Sequence, residues 1–164
     1  PTKGSIKLGN RQFEFNEVEC FAVHDFGRGV WPRVTTWHWA FASQRIRDKR
    51  IGINLGGQWT DGTGITENAI FVNGEMTKIH EDVLFKYDSS NLMKPWYITT
   101  KFSDQVMLTF HPFFERVTNT DVKVIKSKTR QFIGYFNGRV KLNDGSFVAI
   151  QQMLGSIENY DAKW

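Results

Sequence analysis

One cysteine, Cys20, stands in 164 residues, so no internal disulfide can form, and none is needed. A chain of this length buries roughly two-thirds of its unfolded surface in a single core. Cys20 lies in an apolar run and reads as a buried structural thiol, and so poor a cysteine supply fits a reducing, cytoplasmic setting. No apolar run approaches the ~20 residues that cross a bilayer, and no signal-peptide pattern opens the chain, so no membrane span is expected. The histidines His24, His38, His80 and His111 are scattered without ligand spacing, which leaves no metal site to expect. The phosphate-cradling G-x-x-x-x-G-K-[ST] pattern and β-α-β alternation are both missing, so the expected cofactor list is empty. Charge is modest, 21 Lys and Arg against 17 Asp and Glu for a net +4. The densest basic stretch, residues 45–50, is broken by Ile46 and Asp48, so no nucleic-acid partner is expected.

Aromatic residues are plentiful, with 14 Phe and 6 Trp, and the dominant apolar period is two. Ile6 and Leu8 precede Gly9-Asn10 and then Phe13 and Phe15, which predicts a half-buried hairpin with Ile6 opposite Phe13. Asn73-Gly74 separates two further alternating runs and supplies the positive φ angles of a type I′ turn. Turns at Ser103-Asp104 and Asp144-Gly145 mark two more hairpins. Helical signals are scarce. The best of them, residues 152–163, is interrupted by Gly155 and reads as strand end plus irregular chain. Roughly ten short, evenly spaced strands predict an all-β, antiparallel barrel or sandwich.

A third hairpin carries the most information. Thr35, Trp37, Trp39 and Phe41 alternate with Thr36, His38, Ala40 and Ala42, and the chain turns at Asp48-Lys49 into Ile51, Ile53 and Leu55. Setting Ile46 opposite Ile51 places Phe41 and Ser43 opposite Gly56 and Asn54. Rings beside glycines either fill a core or wall a pocket, and His38 points to the other face.

Two loops hold the polar candidates. Residues 24–32 bring His24, Asp25 and Arg28 within five positions, with glycines at 27 and 29. That grouping suits either a self-capped turn or an acid/base group beside an anion-holding guanidinium. Residues 54–68 carry Trp59, Asp61 and Glu67. If these loops form a site, Asp25, Arg28, Asp61 and Glu67 should converge near Trp37, Trp39 or Trp59. Asp25 and Glu67 are then the candidate catalytic acids, and His24, Arg28, Trp37, Trp39, Trp59 and Asp61 the candidate ligand contacts.

The strings CFAVHDFGRGVWP (residues 20–32), TWHWAFAS (36–43), IGINLGGQWTDGTGITENAIFVNG (51–74), MKPW (93–96) and FERV (114–117) resemble the C-terminal half of the family called domain of unknown function 2804. The likeness continues through QFIGYFNGRVKLNDG (131–145). It implies a chain about half the usual length, hence an N-terminal half beyond these residues, and it brings no catalytic residues. The opening Pro1 agrees with that expectation. A looser likeness of pattern is to lipocalin-like hydratases and cyclases, with Gly57-Gln58-Trp59 similar to the lipocalin Gly-x-Trp.

The expected organisation is one β domain, residues 1–164, completed by an N-terminal domain or by self-association. Three functions are open. The first is binding of a small apolar or amphipathic molecule; the second is a cofactor-free acid/base enzyme such as a hydratase, isomerase or cyclase. The third is a carbohydrate-binding surface. Enclosed tryptophans favour the first two, and coplanar exposed rings the third.

Overall fold

The period-two alternation is realised as strands throughout. The computed structural model describes residues 1–122 and 124–163, and among these it holds eleven strands and no helix. A separate hairpin, β1 (Gly4–Leu8) and β2 (Arg11–Phe15), is followed by β3 (Val34–Ile46), β4 (Lys49–Gly57), β5 (Ala69–Val72) and β6 (Glu75–Lys78). Then come β7 (Val83–Lys86), β8 (Trp96–Thr100) and three long strands, β9 (Val106–Val122), β10 (Ile125–Lys141) and β11 (Phe147–Lys163). The last nine strands form one antiparallel sheet in the order β6-β5-β4-β3-β11-β10-β9-β8-β7. Its twist curls it into a half-barrel, bringing the end of β4 against β7. No described helix is long and apolar enough to cross a membrane.

The inner face of the curl is the core. Ala40, Ala42, Ile53 and Leu55 of β3 and β4 meet Trp96, Phe110, Phe132, Phe136, Met153 and Ile157 there, all buried. Full burial of each large apolar side chain contributes about 1.5–3 kcal/mol, which makes this face the main source of stability. His38 points the same way, as its alternation with the tryptophans requires. It is 4% exposed, its Nε2 lies 3.2 Å from the Tyr87 hydroxyl, and its ring packs against Phe85 and Trp96. Burial lowers its pKa from 6.5 to about 4, so the imidazole is neutral at pH 7.

Several turns fall where the sequence puts them. Asn73 and Gly74 have φ of 53° and 94°, as a type I′ turn demands, and Asn73 Oδ1 accepts the Arg50 amide at 2.8 Å. Ile6 does pair with Phe13, but the hairpin is not half-buried; the two side chains are 58% and 41% exposed. The β3–β4 turn is one residue earlier than expected, at Arg47-Asp48, with Arg47 at φ 56°. The register therefore slips by two: Ile46 opposes Lys49, Ser43 opposes Gly52 and Trp39 opposes Gly56. A slip of two preserves the faces, which is why the inside and outside sets survive it.

The tail is the larger correction. Apart from a bulge at Gln152, where φ is 49°, residues 152–163 are regular strand; they belong to β11, which pairs with β10 on one side and, from Gly155 on, with β3 on the other. Gly155 does not break the strand. It sits where an added Cβ would strike the Phe41 carbonyl and the Ala42 side chain, so the absence of a side chain lets the two strands approach. Cys20 is also not a core thiol. It is only half-buried, in the segment that crosses the outer face of the sheet.

Candidate functional site

The outer face of β3 carries Trp37, Trp39 and Phe41, opposite Tyr160, Glu158 and Ser156 of β11. The rings therefore neither fill the core nor lie open to water. Residues 16–33 pass over them, tied down where Arg45 Nε donates to the Val18 carbonyl at 3.0 Å and Thr35 Oγ1 to the Pro32 carbonyl at 2.9 Å. Trp37 stacks on Tyr160 at 3.7 Å, and Trp39 tilts against Phe41 at 4.5 Å.

A pocket of about 430 Å³ lies between this stripe and the two loops. Trp37 and Trp39 form its floor. Trp31 and Trp59 meet edge to face across it at 5.8 Å, and Asp25, Glu67 and Glu158 supply its polar groups. Four separate stretches of chain thus converge: the 24–32 loop, β3, the 58–68 loop and β11.

Glu67 is held by its neighbours. Trp59 Nε1 donates to Oε1 at 3.0 Å and Asn54 Nδ2 to Oε2 at 3.1 Å, while Asn54 Oδ1 accepts Trp39 Nε1 at 2.7 Å. The two bonds to its carboxylate fix its orientation. The side chain lies over Gly56, where an added Cβ would fall on its carboxylate. Gly56→Ala is accordingly expected to displace Glu67 and release Trp59, seen as a shifted Trp59 indole N–H resonance. The clash is with a flexible side chain, so the urea midpoint should stay close to wild type; an unmoved resonance would contradict this packing.

Glu158 differs. Burial raises its pKa, a Trp37 hydrogen bond opposes the rise, and the charge of Asp25 adds to it. Gln131 Nε2 donates to its Oε1 at 3.2 Å. Because Gly56 opposes Trp39 and Trp39 opposes Glu158, the row across the sheet runs Glu67, Trp39, Glu158.

Of the residues expected from sequence, Asp25, Trp37, Trp39, Trp59 and Glu67 line this pocket. Three do not. His24 and Arg28 are exposed outside it, and Arg28 makes no ion pair with Asp25. Asp61 is exposed at a turn closed by its amide on the Gln58 carbonyl, and its charge acts on Lys101. Glu158 and Trp31 are additions. Glu158 becomes legible once residues 147–163 are read as one strand, since it then alternates onto the face that opposes Trp39.

A larger and more open cavity, about 840 Å³, adjoins on the same face, walled by Phe21, Phe41, Ile133 and Leu154, with Cys20 at its side. The Ser156 hydroxyl and the Gln44 side-chain oxygen on its wall are buried without a partner among the described residues. It holds no carboxylate but Glu19, and none of the candidate residues. The chemistry is concentrated in the smaller pocket.

No group of histidine, cysteine and carboxylate side chains among the described residues is arranged to hold a metal ion. No curated protein and no solved structure matches the chain. The family model described as a domain of unknown function, DUF2804, matches residues 1–164, and the chain belongs to that family.

Proposed function

We propose that the chain binds a small amphipathic molecule in the tryptophan-lined pocket. The observation that carries this reading is convergence: four indoles and three carboxylates from four stretches of chain line a partly open pocket of ligand size. Indoles present a broad apolar face, and the fixed Glu67 provides one oriented polar contact. Trp31 and Trp59 stand at 60° to each other, which makes a wall and not the flat platform on which a sugar stacks.

Cofactor-free acid/base catalysis is the second reading, favoured by the contrast between the two glutamates. Burial pushes Glu158 toward the protonated form, and two donors bond the Glu67 carboxylate on the other side of Trp39. That pair would deliver a proton to an apolar substrate and accept one from water or from carbon, as a hydratase, isomerase or cyclase requires.

The test is recovery of co-purifying small molecules from the chain by mass spectrometry. A specific compound recovered from wild type and lost from Trp39→Ala, with circular dichroism unchanged, supports binding. No specific compound, or one retained equally in the variant, sinks it. If the recovered compound is chemically altered by wild type but not by Glu158→Gln, the enzyme reading replaces the simpler one.

A further inference from the structure

We infer that the occupant of the tryptophan-lined pocket is an organic cation, a quaternary or alkylated ammonium compound small enough for about 430 Å³. The inference rests on the small-molecule reading of this site and narrows its ligand class.

The charge distribution comes first. The chain as a whole is basic, with a net charge of +4, yet among the described residues no lysine, arginine or histidine lines this pocket, and three carboxylates do. The cation whose field reaches Glu67 is Lys78, and its ammonium is already committed to the Thr66 and Asn68 carbonyls and the Thr66 hydroxyl. It lies outside the pocket lining, so its ammonium does not reach the pocket's interior. Asp25 and Glu158 lie close enough for one charge to raise the pKa of the other, a repulsion that an apolar ligand would worsen by excluding water. An anionic ligand would meet the same repulsion directly. A cation relieves it.

The second argument is the kind of wall. Indole is the best aromatic partner for an alkylammonium, contributing about 0.5–2 kcal/mol per well-placed ring as the site is desolvated. Trp37 is held in place by its stack on Tyr160, Trp39 by its bond to Asn54, and Trp59 by its bond to Glu67. Rings fixed before the ligand arrives lose little freedom on binding. A quaternary ammonium has no N–H to satisfy and a diffuse charge, so it suits a site whose carboxylates lie beside apolar faces.

The experiment titrates the full chain with choline and, separately, with its uncharged carbon isostere 3,3-dimethylbutan-1-ol, by calorimetry at pH 7. Choline is expected to bind at least about tenfold more tightly than the alcohol. Glu158→Gln and Glu67→Gln should each weaken choline several-fold more than they weaken the alcohol, with circular dichroism confirming that both variants fold. Equal affinity for the two probes, or binding of the alcohol alone, overturns the cation inference and leaves the small-molecule reading standing. Binding of neither also overturns the inference, and ligand recovery then decides the broader reading by itself.

Discussion

Replacing Phe132 with alanine is expected to lower the unfolding free energy by about 3–5 kcal/mol, the range for truncating a fully buried aromatic side chain. Phe132 is 0% exposed in mid-strand of β10, opposite Ile157, with its ring 5.4 Å from that of Trp96. The strands beside it are pinned by long ladders on both sides, so the wall cannot collapse into the space left behind. Urea unfolding checks this. A loss below about 1 kcal/mol would mean that the inner face of the half-barrel is not the principal core.

Acid should destabilise the fold through His38. The unfolded chain takes up a proton near pH 6.5, whereas the buried imidazole resists it down to about pH 4. Between those values the unfolded state binds more protons, so stability falls as pH falls through the window and the penalty is complete below about pH 4. The whole interval is worth on the order of 3 kcal/mol. Other groups also titrate there, so the informative quantity is the difference between wild type and His38→Gln. That difference should change by about 2–3 kcal/mol in favour of the variant between pH 7 and pH 4.5. A difference constant across this range would place His38 in contact with water or a compensating charge.

Much of the architecture was legible because β structure writes itself in a period of two. The alternation alone puts His38 on the face opposite Trp37 and Trp39, and an error of two in the β3–β4 register leaves that division intact. What periodicity does not state is which face the protein treats as its core. The aromatic stripe suggested one, but the smaller residues Ala40 and Ala42 are the buried set, because the inner face of a tight curl has room for little else beside Phe132 and Phe136. Gly155 misled for a related reason. Glycine in a sequence reads as a break, and only the neighbouring strand reveals that it is a point of close approach. The site was half visible. Asp25, Glu67 and Trp59 announced themselves as polar or aromatic residues in glycine-rich loops, whereas Glu158 stood in a tail whose strand character depends on two partners distant in sequence. Arg28 and His24 lie outside the pocket that Asp25 lines, since residues one to three apart in a loop need not face the same way.

The occupied pocket can be tested through its indole N–H groups in a ¹⁵N–¹H spectrum during titration with choline. Trp96 is an internal control, because its Nε1 donates to the Leu92 carbonyl inside the core at 2.8 Å. The account predicts that the resonances of Trp31, Trp37, Trp39 and Trp59 move together and saturate at one concentration while Trp96 stays fixed. Movement of Trp96 with the other four unchanged, or no saturable movement in any of them, would contradict it.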